Sequence, residues 1–129
     1  MFIAIIENDE GIREMLVSLF ENKGHQVAAV SKVENLIINP SQLFDLILTD
    51  SKVAGRQVVS TCRMLEEKGL FHIPVIAMSG YTNISAECLQ AGAAVFIEKP
   101  FNIDELLATV EDISARRKAS GANMSPHIG

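Results

Sequence analysis

Apolar residues along this chain arrive in short unbroken runs that alternate, five times over, with longer stretches of helical periodicity. Phe2-Ile3-Ala4-Ile5-Ile6 is continuously apolar, the pattern of a strand buried on both faces. Ile12, Met15, Leu16, Leu19 and Phe20 then keep the i, i+3, i+4, i+7, i+8 spacing of an amphipathic helix, which Gly24 closes. Gln26-Val27-Ala28-Ala29-Val30 reads as a second, weaker strand. Ser31 and Glu34 form an S-x-x-E capping box and predict a short second helix. That helix must stop by Asn39-Pro40, because the residue before proline is pushed out of the α region. A strand follows over 44–49, a helix from about 55 to 68, a strand over 74–78, a helix at roughly 83–91 and a strand over 94–97. The last helix is the best marked. Asn102 can cap it, Glu105 can reach back, and Phe101 can pack on Leu106 as a staple. Ile103, Leu106, Leu107, Val110 and Ile113 form its apolar stripe. Gly24, Gly69 and Gly92 each end a helix just before a strand, the left-handed cap that short connections use. From about Ala119 the chain turns small and polar, which predicts a domain over 1–118 and a flexible tail over 119–129.

Alternating apolar strands and helices predict an α/β fold, a parallel sheet with helices on both faces. Right-handed crossovers then bring the carboxyl ends of all strands to one edge. Composition narrows the picture. At 129 residues and 48% apolar content, one packed domain is expected rather than disorder. The apolar runs fall well short of the roughly 18 residues that cross a bilayer, and no basic segment precedes an apolar one as in a secretory signal. Sixteen acids oppose eleven bases, a net charge of -5 without a basic stripe, so direct nucleic-acid binding is not expected. Cys62 and Cys88 lack metal-ligand spacing and read as reduced thiols of a cytoplasmic protein.

Polar residues collect where the strands end. Glu7-Asn8-Asp9-Glu10 follows the first, Asp50 the third, Ser79 the fourth and Lys99-Pro100 the fifth. Singly, each has a plainer account. Asn8 or Asp9 can cap the first helix, Asp50 can be a solvated loop residue, Ser79 an ordinary turn serine, and Lys99 a surface lysine. Gathered on one edge they suit a metal-assisted phosphoryl acceptor. Clustered oxygen ligands suit Mg²⁺, a neighbouring cation lets a carboxylate attack phosphorus, and a lysine offers a compact charge to an anion. His25, His72 and His127 pair with no nucleophile.

Over about residues 1–118 the chain resembles the response-regulator receiver domain of two-component signalling. The resemblance rests on Ile5 to Glu14, on Asp45-Leu46-Ile47-Leu48-Thr49-Asp50, on Pro74 to Gly80, and on Ala91-Gly92-Ala93 leading to Lys99-Pro100-Phe101. It implies a flavodoxin-like, doubly wound five-stranded sheet in the order 2-1-3-4-5. It further implies that Asp50 is the phosphoacceptor, Lys99 pairs with the phosphoryl group, and Ser79 and Phe96 are the switch residues. Mg²⁺ would be held by Glu7, Asn8, Asp50 and the Lys52 carbonyl. The donor would be a histidine kinase or histidine phosphotransfer protein. Output would pass through protein contact or a phosphorylation-dependent dimer on the surface of the 83–91 helix, the fifth strand and the last helix.

Three departures from the family pattern stand out. Asn8 stands where its second acid is expected, Val53-Ala54 where Met-Pro is common, and Val58 where glycine is common. The resemblance also implies that Lys52 and Tyr81 fill positions that tune how water reaches the phosphoryl group. Asn8 keeps an alternative open: a degenerate receiver that docks without being phosphorylated. Other enzyme classes fit less well. The loop after the first strand is acidic where a flavin protein needs a phosphate-binding one. It also lacks the G-x-G-x-x-G of a dinucleotide enzyme and the paired aspartates of a dehalogenase-type phosphatase.

Overall fold

The structure, a computed structural model, describes residues 1–50, 56–80, 85–100 and 102–128, with backbone alone at 56–57 and 117–128. The chain divides into two compact units, Met1–Lys99 and Pro100–Gly129. In the first unit the elements are β1 (Phe2–Ile6), α1 (Glu10–Asn22), β2 (Gln26–Val30), a 3₁₀ turn (Val33–Asn35), β3 (Leu46–Asp50), α2 (Arg56–Glu67), β4 (Val75–Ser79), α3 (Ser85–Ala91) and β5 (Val95–Glu98). The strands form one parallel sheet in the order β2-β1-β3-β4-β5. This is the expected doubly wound topology.

Strand alternation builds two cores. Ala4, Ile6, Ile47, Val75 and Ala77 point to one face, where they cluster with Val58, Cys62 and Leu65 of α2 and Cys88 of α3. Ile3, Ile5, Leu46, Leu48, Ile76 and Met78, the opposite set, are equally buried, as are Leu16 and Phe20 of α1. With both faces covered, the strands read as continuous apolar runs, as parallel strands should. Entry of β3 beside β1 is fixed by Asp45. Its carboxylate accepts from the Phe2 N–H at 2.7 Å, its own N–H donates to the Phe2 carbonyl, and the Phe2 and Phe44 rings lie 4.5 Å apart.

Gly24, Gly69 and Gly92 take φ values of 87°, 70° and 121°, so the three glycine caps expected from spacing are present. The expected second helix is not. The Ser31–Glu34 capping box does not form; the segment makes a single 3₁₀ turn preceded by Lys32, with no side-chain cap hydrogen bond. Val33 and Leu36 are its buried residues, a spacing of three that suits the 3₁₀ period. Asn39 then accepts the Ser41 N–H at 2.9 Å and turns the chain at Pro40.

In the second unit, α4 (Ile103–Ile128) starts as expected: Asn102 accepts the Glu105 N–H at 3.2 Å. Phe101, the expected staple, lies outside the described residues. Leu106, Val110 and Ile113 of the stripe are buried, whereas Ile103 is exposed. The backbone stays helical through Ile128, past residue 118 where the composition ends the domain. Among the described residues no helix is long and apolar enough to cross a membrane.

Candidate functional site

At the carboxyl edge of the sheet the apolar runs give way to charge. Glu7 follows β1, and its N–H extends the ladder to the Val30 carbonyl at 2.9 Å, which draws the residue inward. It is fully buried. The chain then turns away at Asp9, which caps α1 by accepting the Ile12 N–H at 2.9 Å. A carboxylate committed to a cap does not face the sheet edge. Asn8, between them, is exposed. Arg13, one turn into α1, donates from Nη1 to the Glu7 carbonyl at 2.9 Å and fixes the corner. Nothing in the hydrophobic pattern marks Arg13; only its position one turn beyond the acid cluster could have.

Asp50 is the last residue of β3 and pairs in register with Met78. It is 5% exposed. Ser79, the last residue of β4, is fully buried, and its carbonyl accepts the Lys99 N–H at 2.7 Å. That bond ties the start of the Lys99-Pro100 turn to β4 and aims the lysine back across the edge. Its ammonium donates to Glu7 Oε1 at 2.5 Å and to Asp50 Oδ1 at 2.8 Å. One cation thus joins residues that end β1, β3 and β5. Sequence places these residues on one edge without foreseeing that a single lysine would pair with both acids.

Two carboxylates share one ammonium in a nearly dry corner, so the site keeps an excess of negative charge. Burial pushes the Glu7 carboxyl above its ordinary value. Lys99 opposes that rise and the Asp50 charge adds to it. Burial alone would lower Lys99, but its hydrogen bonds to Asp50 and Glu7 outweigh it and hold the ammonium above its usual range. Such a corner attracts a further cation. Mg²⁺ needs only one or two carboxylates, with water and phosphate oxygens filling the rest, and Glu7 and Asp50 fit that requirement. Among the described residues no group of three or more His, Cys, Asp or Glu side chains gathers for a metal. A metal held by protein ligands alone, as structural zinc is, would need a fuller set.

Of the other expected residues, Phe96 lies on β5 beside Ala77 and packs partly buried against the apolar cluster. Val58 is fully buried in that cluster. Lys52, Val53, Ala54 and Tyr81 lie outside the described residues. Cys62 and Cys88 are buried and not disulfide-bonded.

Comparison with known proteins agrees with this architecture. The transcriptional regulatory protein ZraR of Salmonella typhimurium is 27% identical over 125 residues, covering 95% of this chain and 28% of ZraR. DltR of Streptococcus agalactiae, also a transcriptional regulatory protein, is 31% identical over 113 residues, covering 85% of this chain and 50% of DltR. The chain therefore spans half or less of these relatives' lengths. The receiver domain of Francisella response regulator 1452 has the same fold, with a TM-score of 0.76 at 24% identity over 90% of this chain and 98% of that one. The model of the response regulator receiver domain matches residues 3–111, from β1 into α4, and the chain belongs to that family.

Proposed function

We propose that this chain is a phosphoacceptor receiver of a two-component phosphorelay, with Asp50 as the acceptor. The carrying observation is the Asp50 carboxylate itself, buried at the end of β3 and held 2.8 Å from the Lys99 ammonium. The donor is a histidine kinase or histidine phosphotransfer protein in the cytoplasm. An Asp50 oxygen attacks phosphorus in line, the phosphorus–nitrogen bond of the donor breaks, and the donor imidazole leaves with the electron pair. Lys99 neutralises the equatorial oxygens, where charge collects in a loose transition state. Glu7 and Asp50 would hold Mg²⁺, with the Asn8 amide oxygen and the Lys52 carbonyl as further ligands. When bound, the ion supplies added charge neutralisation at the phosphoryl oxygens.

Ser79 then donates its hydroxyl to the phosphoryl group, and Phe96 moves into the space this opens. The protein-binding surface around α3 and β5 changes as a result, and alters partner contact or self-association. On this reading the receiver covers 1–118, with 119–129 appended.

Asn8 supports a second reading. This residue is exposed and uncharged, and Lys99 already pairs with both buried acids, so the corner is held together without a phosphoryl group. The chain would then act as a docking module. Intact-mass measurement after acetyl phosphate and Mg²⁺ separates the two. The phosphoacceptor reading expects a gain of one phosphoryl group, absent in Asp50→Asn. No gain, together with no beryllofluoride-induced spectral change, leaves only the docking module.

A further inference from the structure

The two cysteines lie 26 positions apart in sequence yet share one buried cluster, Cys62 on α2 and Cys88 on α3. Their relative placement is set by a glycine. Gly92 closes α3 with φ 121°, and a Cβ there would stand 3.2 Å from the Cys62 sulfur. The sulfur therefore rests against the end of α3, in space that any other residue would fill. Cys88 lies in the last turn of α3, just before that glycine cap. The Ala93 N–H binds the Cys88 carbonyl at 3.1 Å and holds that last turn closed. Cys88 is wholly buried, so its side chain points inward, toward the cluster that contains Cys62.

Access is unequal. Cys62 is 9% exposed and, with Leu65, Phe71, Ile73 and Gly92, lines a cavity of about 180 Å³. Cys88 is not exposed at all. A small uncharged oxidant that enters this cavity meets Cys62 first and Cys88 only afterwards.

We propose that Cys62 and Cys88 form a dithiol pair that peroxide closes slowly to a disulfide between α2 and α3. The Cys62 sulfur attacks a peroxide oxygen, the O–O bond breaks, and a sulfenic acid forms with release of one water. The Cys88 sulfur then attacks the Cys62 sulfur, the S–O bond breaks, and a second water leaves. Both sulfurs are oxidised and one hydrogen peroxide is reduced. Burial, the nearby Glu66 carboxylate and Cys88 all push the Cys62 thiol up, so thiolate is scarce and the first step is slow. Cytoplasmic disulfides are usually reversible sensors of this kind. The bond ties α3, the helix that follows Ser79, to α2, and restrains any movement of α3 against the sheet. None of this depends on phosphorylation of Asp50.

The test uses the reduced wild-type protein, treated with hydrogen peroxide and digested without reductant. The expected result is a linked pair of peptides carrying Cys62 and Cys88 from a single chain. Free thiols in denaturant should fall from two to none, and dithiothreitol should restore both. In Cys88→Ser, Cys62 should be trapped by dimedone as the sulfenic acid. Peroxide treatment of the wild type should raise the melting temperature reversibly. Sulfinic or sulfonic acid on Cys62 with Cys88 still alkylated, two intact thiols, or a bond only between chains would each overturn the proposal. Because methionine also takes up oxygen, the linked peptides rather than total mass decide the outcome.

Discussion

At the carboxyl edge of the sheet the strands end in buried polar residues, Glu7, Asp50 and Ser79, joined by Lys99. At the amino edge β2, β4 and β5 follow glycine caps, and the conspicuous side chain is Phe71, which is exposed. The edges invert the usual partition of polar and apolar groups. Connections at the amino edge need only reverse the chain, and glycine does so without a side chain to accommodate. Those at the carboxyl edge bring ionised groups into a corner where each must be paired or pushed from its ordinary titration. Stability is therefore concentrated in backbone geometry at one edge and in charge balance at the other.

Removing the shared cation should have the largest effect. Lys99→Met leaves two buried carboxylates without their partner, and breaking such a pair costs about 3–5 kcal/mol. Denaturant titration at neutral pH should show a loss of that size. Lys99 titrates above its ordinary 10.5 in the folded state, so its contribution is complete below 10.5 and fades as pH rises through the folded value. The gap between wild type and Lys99→Met should therefore be steady across neutral pH and close in strong alkali. A variant as stable as wild type at neutral pH would mean the pairing is not what holds this edge.

The amino edge should respond through geometry instead. Gly92→Ala meets both a left-handed φ of 121° and the Cys62 sulfur at 3.2 Å, whereas Gly24→Ala meets only its φ of 87° with open space around it. Backbone strain alone costs about 1–2 kcal/mol. The Gly24 variant should lose that much, and the Gly92 variant about 3 kcal/mol, toward the upper end for strained backbone. Neither loss should change between low and high salt, because each is a matter of backbone geometry rather than of an exposed charge pair. Equal losses at the two glycines would show that the sulfur yields and that the contact carries no energy.

How much was legible follows from the same contrast. Continuous apolar runs identified all five strands, and β1 and β2 match their expected limits residue for residue. Glycine spacing found the caps because a positive φ leaves a compositional mark. The capping box at Ser31 misled because a local signal of two residues cannot lengthen a segment that turns at Pro40 and has apolar residues only at 3₁₀ spacing. At the site, topology sufficed to put Glu7, Asp50, Ser79 and Lys99 on one edge. It did not show which oxygen each partner takes, nor that Asp9 spends its carboxylate on α1 while Glu7 turns inward. Those outcomes depend on side-chain direction, which a one-dimensional pattern does not carry.

Asn8 tests whether the carboxyl edge is one charge short of a strong cation site. Asn8→Asp adds a carboxylate beside Glu7, at an exposed position where water screens most of the gain. Magnesium affinity should rise about tenfold, roughly 1.4 kcal/mol, in a direct metal titration. Equal affinities in wild type and variant would place the Asn8 side chain outside the ion's reach.

The smallest expected effect comes from the neighbouring acid and separates local structure from site chemistry. Asp9 accepts the Ile12 N–H at 2.9 Å and its carbonyl accepts that of Arg13, so its role in the fold is the start of α1. Asp9→Ala should cost about 1 kcal/mol, the usual loss of a side-chain cap. Magnesium affinity should be unchanged, because the lost carboxylate was already committed to the helix. If affinity falls instead while stability holds, Asp9 rather than Asn8 is the acid that answers to the cation, and the division of labour along Glu7-Asn8-Asp9 must be redrawn.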